Sequence, residues 1–186
     1  MVSSGTKLTL QEFLALPEKE GDVTYEFVDG YTVPKVSPKF FHSTLQAALI
    51  ILIRLWCKGK GRIYPEWAII LERQGQAWVP IPDLTYISYK RLPASWKRNE
   101  ACPALPELVI EIISPDQSMK EFESKANDYL NAGVSRVWIV DPNTYSIKVF
   151  FSGGASQYTD TMVIVDPLLT GLELTPRQVF TEAQLI

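Results

Sequence analysis

Between Leu108 and Val140 the chain reads apolar strand, helix, apolar strand, and this passage restricts the available folds more than any other. Leu108–Ile113 is an apolar run of strand length. Met119–Ala132 has helical patterning: Phe122, Ala126 and Tyr129 recur at spacings of four and three, and Gly133 stands where a helix C-terminal cap belongs. Val134–Val140 is a second strand. A helix joining two apolar strands predicts a parallel pair with a crossover.

Hairpin signals flank this unit. Tyr25–Val28 and Tyr31–Val33 are joined by Asp29-Gly30, a turn pair that tolerates positive φ. Thr9 with Glu12 predicts a capping box opening a short helix, ended by Pro17 and Gly21. Phe40 to Cys57 reads as a helix, apolar on most sides through Ala47–Ile53, to be buried by the sheet and a second subunit. Further strands are expected at Arg62–Leu71, Ala77–Val79, Leu84–Ser88, Ser146–Phe151 and Gln157–Val165, with a loop over Tyr89–Pro106. The expected architecture is one α/β (α+β) domain over residues 1–186, a mixed central β-sheet flanked by helices.

The 46% hydrophobic content of 186 residues is enough for a substantial core. A net charge of −3 argues against a protein that coats nucleic acid non-specifically, so any DNA contact must be local. Cys57 and Cys102 have no metal-site spacing and read as reduced thiols. The first nine residues carry no apolar signal core, and the Ala47–Ile53 run is too short to span a bilayer. These features predict a cytoplasmic chain with no membrane partner. His42 is the single histidine, which excludes multi-histidine metal sites, and no nucleophile elbow is present.

Glu111 is out of place in this composition. In Val109-Ile110-Glu111-Ile112-Ile113 both strand faces are otherwise apolar, and an unpaired buried carboxylate costs several kcal/mol or takes up a proton. Glu111 therefore needs a cation: a metal ion, a lysine or an arginine. Asp83, after Pro82 at the start of Leu84–Ile87, has an ordinary turn reading. Paired with Glu111 on a neighbouring strand it would offer oxygen ligands that suit Mg²⁺. Glu26 reads either as a solvent-facing hairpin residue or as a third acid. Lys125 borders the Phe122–Ala126–Tyr129 stripe and either covers apolar surface with its stem or reaches toward Glu111, whereas Lys120 points away. His42 reads as a structural hydrogen-bonding residue, a group that braces a metal-binding carboxylate from behind, or a phosphate contact.

The pieces Tyr25–Gly30, Ser37-Pro38 with His42, Pro82–Ile87, Pro106–Pro115, Lys125 with Tyr129, Ala132–Val134 and Trp138–Pro142 follow one another in an order that resembles the Uma2-type restriction endonucleases of the PD-(D/E)xK superfamily. The resemblance covers nearly the whole chain. It implies a restriction-endonuclease-like core, Mg²⁺ (or Mn²⁺) as cofactor and DNA as substrate. By that resemblance Asp83 is the motif aspartate, Glu111 opens the (D/E)xK element and Glu26 is an acidic position that joins the metal site. The motif lysine should follow Glu111 by two residues, but Ile113 stands there, and Lys125 is placed to supply the ammonium.

The expected activity is metal-dependent hydrolysis of DNA phosphodiesters, with catalytic residues Asp83, Glu111, Lys125 and Glu26 and a homodimer as the working form. Lys90, Arg91, Lys97 and Arg98 read as phosphate contacts or as a solvated loop. Two other classes remain: a catalytically degenerate module that binds DNA or oligomerises, and a glycosidase using an acid pair. The latter is disfavoured because the tryptophans show no grouping near the acids in sequence.

Overall fold

A computed structural model describes residues 7–16, 23–35, 37–115 and 117–186. The Pro17 and Gly21 stop signals lie outside these residues. Helix α1 (Leu10–Leu14) opens on the expected capping box, with the Glu12 N–H donating to Thr9 Oγ1 and the Thr9 N–H to the Glu12 carboxylate. Strands β1 (Tyr25–Val28) and β2 (Tyr31–Pro34) form the hairpin, with positive φ at both Asp29 and Gly30. Helix α2 spans Phe40–Cys57. There follow β3 (Gly61–Pro65), β4 (Leu71–Arg73), β5 (Gln76–Val79), β6 (Leu84–Ser88) and β7 (Leu108–Ile112). Helix α3 (Met119–Asn131) leads to β8 (Arg136–Asp141), β9 (Ser146–Phe151), β10 (Gly154–Thr159) and α4 (Pro176–Glu182). Gly133 has φ +97°, the conformation that a helix-ending glycine supplies.

The fold is mixed α and β, and the strands divide into two sheets rather than one. A six-stranded sheet has the order β10-β9-β8-β7-β6-β3, and a four-stranded sheet has the order β2-β1-β5-β4. The expected parallel crossover is present as β7–α3–β8, with Leu108 opposite Arg136 through Ile112 opposite Val140. The expected strand Arg62–Leu71 is two strands in different sheets. The chain breaks at Glu66, whose φ of +48° ends the extended run. The final hairpin strand runs from Gly154 to Thr159, not through Val165. Ile164 instead pairs by a single bridge with Leu174.

Alternation along the large sheet sorts its side chains into two cores. Leu84, Tyr86, Leu108, Ile110, Ile112 and Trp138 pack against α2 and α4. Ile87, Val109, Ile113, Val137 and Ile139 pack against Phe122, Ala126 and Tyr129 of α3 and against Leu71 and Trp78 of the small sheet. The small sheet and α3 thus share one face of the large sheet. Trp78 and Tyr129 join them, with ring centroids 4.8 Å apart.

Candidate active site

Asp83 and Glu111 share this second face. In the antiparallel β6–β7 pair, Leu84 lies opposite Ile110 and Thr85 opposite Val109. Carrying the register one residue further sets Asp83 across from Glu111. Strand parity puts Asp83, Thr85 and Ile87 on one side with Val109, Glu111 and Ile113. Asp83 and Glu111 are 2% and 3% exposed, so both carboxyls are held inside the fold. They line a cleft of about 270 Å³ together with Glu26, Lys35, His42 and Lys125.

Each acid has its own set of donors. Asp83 Oδ2 accepts from the Ile112 N–H at 2.7 Å and lies 2.9 Å from His42 Nε2, while Oδ1 lies 2.9 Å from Lys35 Nζ. The Gln46 amide also donates to the Asp83 main-chain carbonyl at 3.0 Å, fixing the strand start. Burial alone would raise the Asp83 carboxyl. The His42 hydrogen bond, the Lys35 ammonium and the Ile112 N–H outweigh it and bring Asp83 down to about 2.

Glu111 is poised in the opposite sense. Burial pushes its carboxyl up, the Asp83 and Glu26 charges add to burial, and Lys125 only partly offsets them. Its Oε1 accepts from the Tyr129 hydroxyl at 2.7 Å and lies 3.0 Å from Lys125 Nζ. Lys125 Nζ also lies 3.2 Å from Glu26 Oε1, which accepts from the Ile81 N–H at 2.9 Å. Burial would lower the Lys125 ammonium, but Glu111 and Glu26 hold it above its ordinary value, so it stays charged. Burial and the Glu111 charge push Tyr129 well above the usual phenol value, which keeps it a hydrogen-bond donor.

The structure therefore brings Glu26, His42, Asp83, Glu111 and Lys125 into one place. The cleft lining includes none of Lys90, Arg91, Lys97 and Arg98. Arg91 instead ties its loop down through Glu107 at 3.1 Å and the Leu105 and Pro106 carbonyls. Two participants were not legible in the sequence: Lys35 and the Tyr129 hydroxyl. Tyr129 had a usable signal, since a buried phenol needs an acceptor and it lies four residues beyond Lys125. The aromatic residues do group in space, with Trp67 and Trp96 centroids 5.7 Å apart and Tyr64 5.9 Å from Trp67. None of the three lines the cleft.

Among the described residues no three His, Cys, Asp or Glu side chains, Glu26, Asp83 and Glu111 included, group closely enough to form a three-ligand metal cage. Such a cage is what zinc sites use, whereas Mg²⁺ is usually held by one or two carboxylates and keeps several waters. An all-oxygen pair on adjacent strands, one member low in pKa and the other buried at a cost, fits a hard divalent cation.

Residues 10–184 match the family described as Uma2, putative restriction endonuclease, and the chain belongs to that family. Its fold is shared by the crystal structure of a putative nuclease belonging to DUF820 from Anabaena variabilis ATCC 29413. That match has a TM-score of 0.78 at 24% identity and covers 95% of this chain and 99% of the other. Among curated proteins none matches significantly.

Proposed function

We propose that the chain is a divalent-metal-dependent endonuclease that hydrolyses DNA phosphodiester bonds at the Asp83–Glu111 cleft. The observation that carries this reading is an acid pair on adjacent strands of an otherwise apolar sheet face, with Lys125 3.0 Å from Glu111. Asp83 and Glu111 are the residues to hold Mg²⁺ or Mn²⁺, with Glu26 beside them. Bound there, the cation supplies Lewis-acid polarisation of the phosphate and a more acidic water.

The remaining work falls to the protein. His42 and the Ile112 N–H hold Asp83 ionised and oriented, and Tyr129 fixes the rotamer of Glu111. The Lys125 ammonium is set to meet charge developing on the phosphate oxygens, taking the part of the lysine that Ile113 replaces. Burial keeps bulk water from screening these groups.

The test is nicking of supercoiled plasmid in Mg²⁺. Nicking by the wild type, lost with EDTA and lost in Asp83→Asn, supports the reading. Nicking that persists in Asp83→Asn assigns the chemistry elsewhere. An inactive wild type in both Mg²⁺ and Mn²⁺ favours a non-catalytic binding module on the same fold.

The same reading takes a homodimer as the working form. Helix α2 is long and apolar enough to cross a membrane by length and composition. It packs His42, Leu45, Ala48, Leu49, Ile53 and Cys57 inside the fold yet leaves Phe40, Phe41, Ile51 and Leu55 exposed. An exposed apolar stripe of this kind is the usual material of a symmetric interface.

A further inference from the structure

Lys35 is an unexpected member of the cleft. It follows β2 in the small sheet, its side chain is only 15% exposed, and its ammonium lies 2.9 Å from Asp83 Oδ1 and 3.8 Å from Glu66 Oε1. Glu66 in turn is fixed beside Asp83. The left-handed turn at φ +48° ends β3 there, and the Glu66 N–H donates to the Asp83 carbonyl at 3.2 Å. Glu66 just past β3, Asp83 just before β6 and Glu111 in β7 therefore stand in a row across three neighbouring strands, with the Lys35 ammonium within 3.8 Å of Glu66 and 2.9 Å of Asp83.

Building on the metal-dependent reading above, we propose that Lys35 is a built-in second cation, fixing the site at one divalent ion on the Glu111 side of Asp83 and closing the Glu66 side. Two arguments carry this. The first is valence. Each carboxylate oxygen has two lone pairs. Asp83 Oδ2 already faces two donors, His42 and the Ile112 N–H, and Oδ1 gives one of its pairs to the Lys35 ammonium, so a single lone pair remains and Asp83 serves one ion as long as Lys35 is present. The second is charge. Glu121 also lines the cleft, but its carboxylate is turned to the Ser118 N–H and hydroxyl at the start of α3. Within the ion-pair network, Glu26, Glu66, Asp83 and Glu111 oppose Lys35 and Lys125. When all are ionised, two negative charges remain, which one divalent cation neutralises. Without Lys35 three remain, and Asp83 Oδ1 and Glu66 are released as a second pair of oxygen ligands.

Mn²⁺ binding counted on the full chain, by equilibrium dialysis with electron paramagnetic resonance of the free ion, tests this without reference to activity. The wild type should bind one Mn²⁺ per chain and Lys35→Met two. Lys35→Arg, which keeps the charge, should stay at one, and Lys35→Met combined with Glu66→Gln should return to one. Circular dichroism checks that each variant is folded. Two ions in the wild type overturn the proposal whatever becomes of the variants. One ion in folded Lys35→Met also overturns it, while leaving the metal-dependent reading intact. No ion in the wild type removes the metal site itself and this inference with it.

Discussion

Lys125 is held between Glu26 and Glu111, at 3.2 and 3.0 Å, on the α3 face that packs against the large sheet. Lys120, on the same helix, is exposed. Lys125→Ala should lower plasmid nicking by ~10²–10³, the usual loss when one positioned electrostatic group is removed. Lys120→Ala should change little, and equal activity in the two variants would sink the assignment. Glu111 makes a second prediction. Its raised pKa means that the ionised form is held at a cost to the fold. Glu111→Gln should therefore abolish nicking yet raise Tm in EDTA by a few degrees, since each kcal/mol is worth roughly 2–4 °C in a chain of this size. A lower Tm for Glu111→Gln would show that the Lys125 pair outweighs burial. Glu111 was legible because a carboxylate interrupts an apolar strand, and Lys125 because it borders a periodic stripe. Lys35 was not legible, because no local pattern marks a lysine that is buried by a distant aspartate.

The α2 helix carries its predictions on its outer side. Replacing Ile51 and Leu55, 48% and 72% exposed, with glutamate leaves the inward residues untouched. The double variant should sediment as a monomer at concentrations where the wild type sediments as a dimer. A monomeric wild type would remove the interface. Elements with a strong period or cap were readable in sequence: α2 starts and ends where its apolar pattern does, and α1 has its capping box. The run from Arg62 to Leu71 misled because β propensity continues through a residue whose positive φ turns the chain into another sheet. Helix α4 was missed although Thr175, Pro176 and Gln178 form a helix-start signature, with a capping box and proline in the first turn. The hairpin was correctly placed, but its sheet was not. Which sheet a hairpin joins depends on long-range pairing, here Phe27 with Val79 and Val28 with Trp78.

At the scale of the whole molecule, Asp83 links stability to acid. Its folded pKa of about 2 lies below the ordinary 3.8. The ionised form therefore contributes about 2 kcal/mol above 3.8, and this is lost as pH falls toward 2. Urea unfolding across that range should show the wild type losing stability relative to Asp83→Asn, and parallel curves would mean that the Asp83 contacts do not hold in solution. The site also spans both sheets. Asp83 and Glu111 belong to the large sheet, whereas Glu26 and Lys35 arrive with the N-terminal hairpin, joined to the rest of its own sheet by two register pairs. So short a seam is expected to open before the large sheet does. Nicking should then vanish at a lower urea concentration than the circular dichroism signal, and coincident midpoints would show that hairpin and sheet melt together. An enzyme wired this way would carry an interlock: a frayed chain would lose its cutting competence while most of its structure survives, so damage to the fold would disarm the nuclease first.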